Sequence, residues 1–291
     1  MKPTLGFIGL GAMGGGMCRN LAMKSGCTVL AADLDARNVY ALSSSGVIAS
    51  SVSEIALRAD VVFLSLPSIK EVEQVCSEQG LLAESSSIKT IVDMSTSDTG
   101  RTRRLASRLA EQGVALVDAP VARSRAAAQE GTLLITVGAE QEQFEQLRPY
   151  LDCMGSDVLL CGPTGAGQVV KAMNNMVLIN TVHALAAAFA TAEKSGVSKE
   201  QLAQVLGLGS AASFALKLTG SEYLAKDTFP EKMFSAAYAL KDLNLALALS
   251  SSVQVDNELT AITAQKLQKA LDAGYGDNYY PVIYKVISQE T

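Results

Sequence analysis

The sequence is poor in a side chain on which several large enzyme classes depend. It has a single histidine among 291 residues, His183, which lies in an alanine-rich stretch typical of a helix. Hydrolysis by a Ser-His-Asp triad, histidine-rich metal sites and histidine-based proton transfer would all rest on that one residue. Helix packing is the ordinary role of such a histidine. The sequence therefore predicts no metal site, and it predicts acid–base chemistry from Lys, Asp, Glu or Tyr.

Cysteine pairing and secretion signals are also missing. The five cysteines are an odd number and form no CxxC pair, so neither a disulfide framework nor a thiolate zinc site is expected. Six glycines between residues 6 and 16 make the N-terminal segment a poor signal peptide. The apolar stretch 177–192 is interrupted by polar residues and is short for a bilayer span. We expect a cytoplasmic protein with no membrane partner.

Charge gives no sign of a nucleic-acid partner. Lys and Arg number 24 against 29 Asp and Glu, and no block of like charge stands out. With 48% hydrophobic residues, the chain is long enough to build two globular domains.

The first half of the chain alternates short β-rich runs with helix-like stretches. The predicted strands are residues 5–8, 28–31, 61–64, 90–93, 115–117 and 132–138. Amphipathic segments such as residues 101–112 lie between them. This rhythm predicts an α/β fold, a Rossmann-type doubly wound parallel sheet with helices on both faces.

The second half changes character after the glycines at residues 162–167. It is rich in Ala, Leu, Lys and Asn and opens with a long helical pattern over residues 168–194, roughly 40 Å at the usual rise per residue. The sequence therefore predicts a Rossmann-type domain at residues 1–163 and an all-α domain at residues 164–291. The long helix would join the two.

The clearest motif is a GxGxxG sequence after the first predicted strand, made of Gly9, Leu10, Gly11, Ala12, Met13 and Gly14. Gly9 permits the tight turn, Gly11 lets the backbone approach a pyrophosphate, and Gly14 lets helix and strand pack closely. Asp33 closes the second predicted strand, where a carboxylate accepts ribose hydroxyls and repels a 2′-phosphate, which favours NAD over NADP. The alternative is that Asp33 is a solvated loop acid.

Three polar residues share one face near the start of the long helix. Lys171, Asn174 and Asn175 stand at positions i, i+3 and i+4. A lysine on a mostly apolar helix beside two amides is a candidate general acid for a carbonyl oxygen. The alternative is a lysine that extends to solvent beside two surface amides.

At this point the sequence resembles the β-hydroxyacid dehydrogenase family, which includes 3-hydroxyisobutyrate dehydrogenases and tartronate semialdehyde reductases. The resemblance covers almost the whole chain and rests on motifs in the same order. These motifs are residues 6–14, 66–67, 93–96, 118–121, 131–133, 165–167, 171–175 and 241–243.

The resemblance implies an NAD(H)-dependent enzyme with a small anionic substrate. Lys171 would be its catalytic acid/base, and Asn174, Asn175 and Asp242 would contact the substrate. It also implies a homodimer or homotetramer built through the helical domain. The cofactor would be lined by Leu66, Pro67, Thr96 and Lys241.

One loop departs from the family pattern. After residues 118–121 most of the family continues Ser-Gly-Gly, whereas this chain continues with Ala122, Arg123, Ser124 and Arg125. Because a guanidinium grips multi-oxygen anions, we expect Arg123 and Ser124 to hold the substrate's anionic tail. The alternative is that Arg123 or Arg125 points to solvent and pairs with a neighbouring acid such as Glu130.

The loop is similar to that of the sulfolactaldehyde reductase branch, so 3-sulfolactaldehyde reduction is the leading hypothesis. A 3-hydroxyisobutyrate dehydrogenase and a succinic semialdehyde reductase (4-hydroxybutyrate dehydrogenase) are its rivals. A non-catalytic dinucleotide sensor or assembly protein is an alternative of another class.

Overall fold

The computed structural model describes residues 2–77, 79–82 and 86–289. Contacts between residues divide the chain into two compact units, Met1–Lys171 and Ala172–Thr291. The sequence predicted a boundary between residues 163 and 164, ahead of the long helix. The observed division falls inside that helix, because its first turn is bonded to the sheet of the first unit.

A single mixed sheet organises the described part of the first unit. Its nine strands are β1 Thr4–Ile8, β2 Thr28–Ala32, β3 Val47–Ala49, β4 Val61–Leu64, β5 Thr90–Asp93, β6 Ala115–Asp118, β7 Val121–Ala122, β8 Leu133–Gly138 and β9 Gly155–Gly162. The strand order is β3-β2-β1-β4-β5-β6-β8-β7, and β9 pairs with β8. The predicted Rossmann-type sheet is confirmed, and every predicted strand is present.

The sequence suggested a parallel sheet, but the observed sheet is mixed. The strands from β3 to β6 are parallel, but β8 runs antiparallel to β6 and to the short β7. A parallel neighbour needs a long crossover connection, usually a helix of several turns. The chain between β6 and β8 carries only the helix Arg125–Glu130, which is too short for such a crossover.

Both faces of the sheet are buried, and each collects alternate residues of the strands. Leu5, Phe7 and Phe63 belong to one apolar cluster, whereas Ile8 and Leu64 belong to another on the opposite side. Two buried faces are the condition under which a parallel sheet is stable. The helices that cover them are α1 Gly14–Ser25, α2 Ala36–Tyr40, α3 Val52–Arg58, α4 Ile69–Val75, α5 Thr99–Glu111, α6 Arg125–Glu130 and α7 Gln141–Leu151.

Helix α1 packs against α6 through an unusually close backbone contact. A Cβ added at Gly16 would lie 2.7 Å from the carbonyl oxygen of Ala128. Buried Asn20 donates from its amide to the carbonyl oxygens of Ala128 and Gln129. The glycine run in α1, which is costly for a helix, therefore lets the first helix approach the segment that follows Arg123.

The second unit is helical. It contains most of α8 Ala166–Lys194, then α9 Lys199–Leu208, a π-helix at Leu216–Leu224, α10 Ala236–Ser252, α11 Glu258–Asp272 and α12 Ile283–Gln289. Its core includes Val182, Phe189, Leu243 and Tyr280. The predicted all-α second domain with a long opening helix is confirmed.

Helix α8 is longer than the apolar stretch 177–192 on which the membrane expectation rested. With 29 residues it is long and apolar enough to cross a bilayer by length and composition. This is weak evidence, because the core helix of a globular protein passes the same test. Ile179, Val182 and Phe189 of α8 indeed lie in the apolar core of the second unit.

Candidate active site

The glycine-rich turn between β1 and α1 has the geometry of a dinucleotide-binding turn. Gly9 has φ +93°, and a Cβ there would lie 2.3 Å from the carbonyl oxygen of Ser65. A Cβ at Gly14 would meet the carbonyl oxygen of Gly9 at 1.9 Å. At Gly11, by contrast, an added Cβ would meet no heavy atom within 4 Å. Gly9 and Gly14 are therefore required by the packing of the protein itself, whereas Gly11 leaves its backbone open to a ligand.

Asp33, at the carboxyl end of β2, is tied to this turn. Its Oδ2 accepts a hydrogen bond from the backbone N–H of Leu10, and its Oδ1 accepts from the N–H of Asp35 and the amide of Asn38. The alternative of a solvated loop acid is therefore wrong for Asp33. It holds for Asp35, which caps α2 and pairs with Arg37 at the surface.

The loops after β4 and β5 complete the same edge of the sheet. A Cβ at Gly9 would approach the Leu66 side chain at 2.9 Å, so Leu66 borders the turn. The N–H of Leu66 donates to the hydroxyl of Ser95, next to Thr96. Pro67 is exposed, and Ala12 and Met13 follow Gly11 at the start of α1. The open backbone at Gly11, the helix start and the Asp33 carboxylate fit the pyrophosphate and ribose of NAD(H).

Lys171 lies on the second turn of α8 and is half-buried. The first turn of that helix is held at the carboxyl end of β6, where the Asp118 carboxylate accepts from the N–H groups of Gly165 and Gln168. Because β1, β4, β5 and β6 are parallel, their carboxyl ends share one edge of the sheet. Lys171 therefore stands near the edge that also carries the glycine-rich turn.

A polar cluster in the second unit joins the other predicted substrate residues. The Asn174 amide donates to Oδ1 of Asn175, and the Asn175 amide donates to Oδ2 of Asp242 at 2.6 Å. Oδ1 of the buried Asp242 lies 3.5 Å from the Lys241 ammonium, too long for a hydrogen bond, and no described residue donates one to it. A substrate hydroxyl is the kind of donor that this oxygen lacks.

In the loop at residues 122–125, which departs from the family pattern, the Arg123 side chain is already bonded to other parts of the protein. The Arg123 guanidinium donates to the carbonyl oxygen of Thr132, to the Ser156 hydroxyl and to the Asp157 carboxylate, 2.7 Å away. Hydrogen bonds from Ser156 and then from Arg123 hold the pKa of Asp157 below its usual range. In this conformation the alternative expectation for Arg123, pairing with an acid, describes the structure, and the acid is Asp157 on β9.

The next two residues of this loop, Ser124 and Arg125, differ in their contacts. The Ser124 hydroxyl caps α6 by accepting from the N–H of Ala127. Arg125 is exposed and has no hydrogen bond or ion pair within the described ranges. Arg123 has φ +87°, a left-handed backbone that favours glycine. Arg123 thus has a backbone conformation typical of glycine, at a position where the family usually has glycine.

Histidine and cysteine take no part in these clusters. Nδ1 of His183 lies 2.8 Å from the Thr263 hydroxyl, and burial, followed by the charge of Lys266, lowers its pKa. Burial raises the pKa of the Cys18 and Cys76 thiols to about 12, which disfavours the reactive thiolate. Residues 2–77, 79–82 and 86–289 contain no group of three or more His, Cys, Asp or Glu side chains that could hold a metal ion.

Sequence reasoning missed two buried acids, Asp118 and Asp93. Asp118 was noticed only as part of a motif, and Asp93 and Gln168 received no role of their own. Burial raises the pKa of Asp118 to about 6 against the lowering effect of the N–H groups of Gly165 and Gln168. It also raises the pKa of the fully buried Asp93. An aspartate that ends a hydrophobic strand was the available signal.

Two protein-family models match consecutive parts of the chain. A model described as the NAD binding domain of 6-phosphogluconate dehydrogenase matches residues 4–162. A second, described as the NAD-binding of NADP-dependent 3-hydroxyisobutyrate dehydrogenase, matches residues 165–287.

Individual relatives match over nearly their full length. The chain is 35% identical to the 2-(hydroxymethyl)glutarate dehydrogenase of Eubacterium barkeri, over 99% of this chain and 95% of the relative. It is 34% identical to the 2-hydroxy-3-oxopropionate reductase of Escherichia coli K12, over 94% and 92%. The structure of Mycobacterium tuberculosis 3-hydroxyisobutyrate dehydrogenase with L-serine superposes with a TM-score of 0.88, 28% identity and 99% coverage of both chains.

Proposed function

This chain belongs to the β-hydroxyacid dehydrogenase family and is an NAD-dependent dehydrogenase, and we propose that it interconverts a small anionic aldehyde and its hydroxy acid, with Lys171 as acid/base. The observation that carries this proposal is the position of Lys171. It follows the helix turn that is fixed to the carboxyl edge of the sheet, the edge that also bears the open backbone of Gly11. A non-catalytic role does not fit membership of a dehydrogenase family.

NADH, when bound, would supply a hydride to the aldehyde carbon in the reductive direction. The Lys171 ammonium donates a proton to the carbonyl oxygen as that oxygen becomes an alkoxide, and the neutral amine takes the proton back in the oxidative direction. Asn175, held by Asp242, orients the same oxygen. Asn174 supports Asn175 through its amide. Lys241, 3.5 Å from Asp242, stays a predicted cofactor residue.

Substitution of Lys171 tests the chemistry. We expect Lys171→Ala to lower kcat by about 10²- to 10⁴-fold, the usual contribution of a positioned general acid, with NADH binding nearly unchanged. NADH oxidation with a panel of small anionic aldehydes gives kcat, and fluorescence titration gives NADH affinity. Lys194, in the last turn of the same helix, supplies the control Lys194→Ala, which should retain turnover. Unchanged turnover in Lys171→Ala would remove Lys171 from the chemistry.

The first substrate candidate is 3-sulfolactaldehyde, which would be reduced to dihydroxypropanesulfonate. It rests on the arginine that stands where the family usually has glycine. A guanidinium suits a sulfonate, which offers three oxygens to its fork of donors. Thr132, Ser156 and Asp157 accept three of the five N–H donors of Arg123, so a substrate anion would compete with Asp157 for the charge of this arginine.

A carboxylate substrate is the second candidate, and the Arg123–Asp157 contact favours it. An arginine already neutralised by an acid adds little to anion binding. The relatives named above carry the names of carboxylate-bearing hydroxy acids, and 3-hydroxyisobutyrate or 4-hydroxybutyrate are compounds of that class. Comparing kcat/KM for 3-sulfolactaldehyde, methylmalonate semialdehyde and succinic semialdehyde decides between the candidates.

The proposal extends to assembly and location. The proposed protein is cytoplasmic and has no nucleic-acid or membrane partner. It forms a homodimer or homotetramer through the helical unit, and exposed apolar side chains on that unit support this assembly. These include Val253, Val255, Leu259 and Ile262. Light scattering after size-exclusion chromatography measures the oligomeric state, and a monomer at micromolar concentration would contradict this part of the proposal.

A further inference from the structure

The start of α8 is held by a buried carboxylate that comes from far away in the sequence. Oδ1 of Asp118 accepts from the N–H of Gly165, and Oδ2 accepts from the N–H of Gln168 at 2.8 Å. The first N–H groups of a helix lack partners within the helix. One side chain at the end of β6 therefore supplies both acceptors, in a position that also complements the positive end of the helix dipole.

Glycines on two sides make room for this carboxylate. A Cβ at Gly138 would lie 2.2 Å from Oδ1 of Asp118, and a Cβ at Gly167 would lie 2.8 Å from Oδ2. The Gly167 carbonyl oxygen also accepts from the buried hydroxyl of Thr136. The helix start is thus packed closely onto the strands, with the Asp118 carboxylate enclosed between the two glycines.

Gln168 connects the same helix turn to the loop after β5. Its side chain is 1% exposed. Its Oε1 accepts from the N–H of Ser97, and its Nε2 donates to the carbonyl oxygen of Ser95. The Ser95 hydroxyl accepts in turn from the N–H of Leu66, beside the glycine-rich turn. A continuous set of hydrogen bonds therefore joins the cofactor edge to the turn that precedes Lys171.

A second buried carboxylate fixes the loop that Gln168 binds. Oδ1 of Asp93 accepts from the N–H of Ser95, and Oδ2 accepts from the Ser97 hydroxyl. Asp93 and Asp118 are register partners on adjacent strands. Burying two acids in this way is costly, and the described contacts use Asp118 to hold the start of α8 and Asp93 to hold the loop that Gln168 binds.

We propose that Asp118 and Gln168 are positioning residues that set the place of the Lys171 ammonium at the reacting carbonyl. This inference rests on the proposed function, because it requires Lys171 to transfer the proton. Neither residue need touch the substrate. Their effect passes through the backbone of the first turn of α8, and misplacement of a catalytic group by about 1 Å can cost about 10²-fold in rate.

Protonation of Asp118 gives the proposal a pH signature. A protonated carboxyl keeps one good acceptor, so the N–H of Gly165 or Gln168 loses its partner. Burial raises the pKa of Asp118 to about 6. Turnover should therefore fall as the pH drops through about 6. The neighbouring groups that titrate or carry charge are Asp93 on β5, Cys161 on β9, Arg103 on α5 and Lys171 itself.

Stability should move in the opposite direction. A carboxyl whose pKa is raised by folding stabilises the fold below its unfolded pKa, and this contribution is lost as the pH rises from the ordinary aspartate value of 3.8 through about 6. Acidification from pH 7 to pH 5 should thus raise the Asp118 contribution to stability while it lowers turnover. General unfolding in acid would lower both.

The deciding variant is Asp118→Asn in the full-length protein. Asparagine has one acceptor oxygen in the same shape, so it should behave at pH 7.5 as the wild type does below pH 6. We expect kcat to fall about 10- to 100-fold, the decline of kcat near pH 6 to disappear, and the KM for NADH to change little. Wild-type kcat at pH 7.5, or a decline near pH 6 that persists in the variant, would overturn the proposal.

Two further variants keep the test decisive. Gln168→Met has a similar length without the amide, and it too should lower kcat more than it changes the KM for NADH, which covers the case that Asp118→Asn does not fold. Ser51→Ala removes a helix cap on α3, at the other end of the strand order. It should lower stability without lowering the kcat of the folded enzyme. A matching kcat loss in Ser51→Ala would make the Asp118 effect one of general stability and so contradict positioning.

Failure of this inference can be told apart from failure of the proposed function. If Lys171→Ala keeps wild-type turnover, the proposed acid/base is wrong. If Lys171→Ala abolishes turnover and both Asp118→Asn and Gln168→Met retain it, only the positioning role is wrong.

Discussion

The glycine-rich turn at residues 9–14 and the loop at residues 122–125 were both predicted to bind anions, and they meet the surrounding protein in opposite ways. Gly11 leaves its backbone open, with no heavy atom within 4 Å of an added Cβ. In the loop, Arg123 is already bonded to Thr132, Ser156 and Asp157, and Ser124 caps α6. An anion can approach the turn directly, but at the loop it would compete with bonds that the protein makes with itself.

The largest expected effect comes from breaking the turn. In Gly14→Ala the new Cβ would overlap the carbonyl oxygen of Gly9, at 1.9 Å in the present geometry, so backbone must move. We expect NADH affinity to fall by about 10²-fold or more, with lower thermal stability, because the turn and the helix start are displaced together. Fluorescence titration and thermal unfolding measure the two effects.

Gly11→Ala separates binding from folding at the same turn. The protein has room for this Cβ, so stability should stay near that of the wild type, while NADH affinity falls because the methyl group stands where the pyrophosphate approaches. If NADH binds Gly11→Ala as tightly as the wild type, the open backbone is not the phosphate site.

Substitution of Asp33 should have the next largest effect on NADH affinity. Asp33→Asn keeps the size of the side chain but removes the negative charge at the end of β2, where the ribose of NADH is predicted to bind. We expect NADH affinity to fall by about tenfold and the ratio of kcat/KM for NADPH to that for NADH to rise. Asp35→Asn is the matched control, since Asp35 is an exposed helix cap two residues away. An unchanged NADPH to NADH ratio in Asp33→Asn would show that Asp33 serves only the turn.

Arg123→Gly should have the smallest effect on stability. Glycine relieves the left-handed backbone at φ +87°, and the ion pair that is lost is exposed and so contributes little. Its effect on substrate preference decides between the two candidates. Loss of a preference for 3-sulfolactaldehyde over the carboxylate aldehydes would assign Arg123 to the sulfonate, whereas an unchanged preference would leave it a structural residue that braces β9.

Much of the framework was predictable because it rests on local patterns. The strand positions, the long helix and the GxGxxG turn follow from hydrophobic spacing and glycine geometry within short windows. The strands β3, β7 and β9 were missed. Val47–Ala49 and Val121–Ala122 are too short to show alternation, and β9 lacks a regular alternation of buried and exposed residues. The reversed direction of β8 was also missed, since strand direction depends on the length of the connection and on available neighbours.

The sequence by itself determined the local motifs from which a site was predicted: a glycine-rich turn after the first strand, one lysine with two amides on a helix face, and an arginine in place of a glycine. Only the tertiary structure decided their partners. Arg123 meets Asp157, 34 positions away, and Asp118 caps a helix that begins about 50 positions later. Such contacts depend on which strand ends come together, and a buried or charged group takes the partner that lies nearest in space, whatever its distance along the chain.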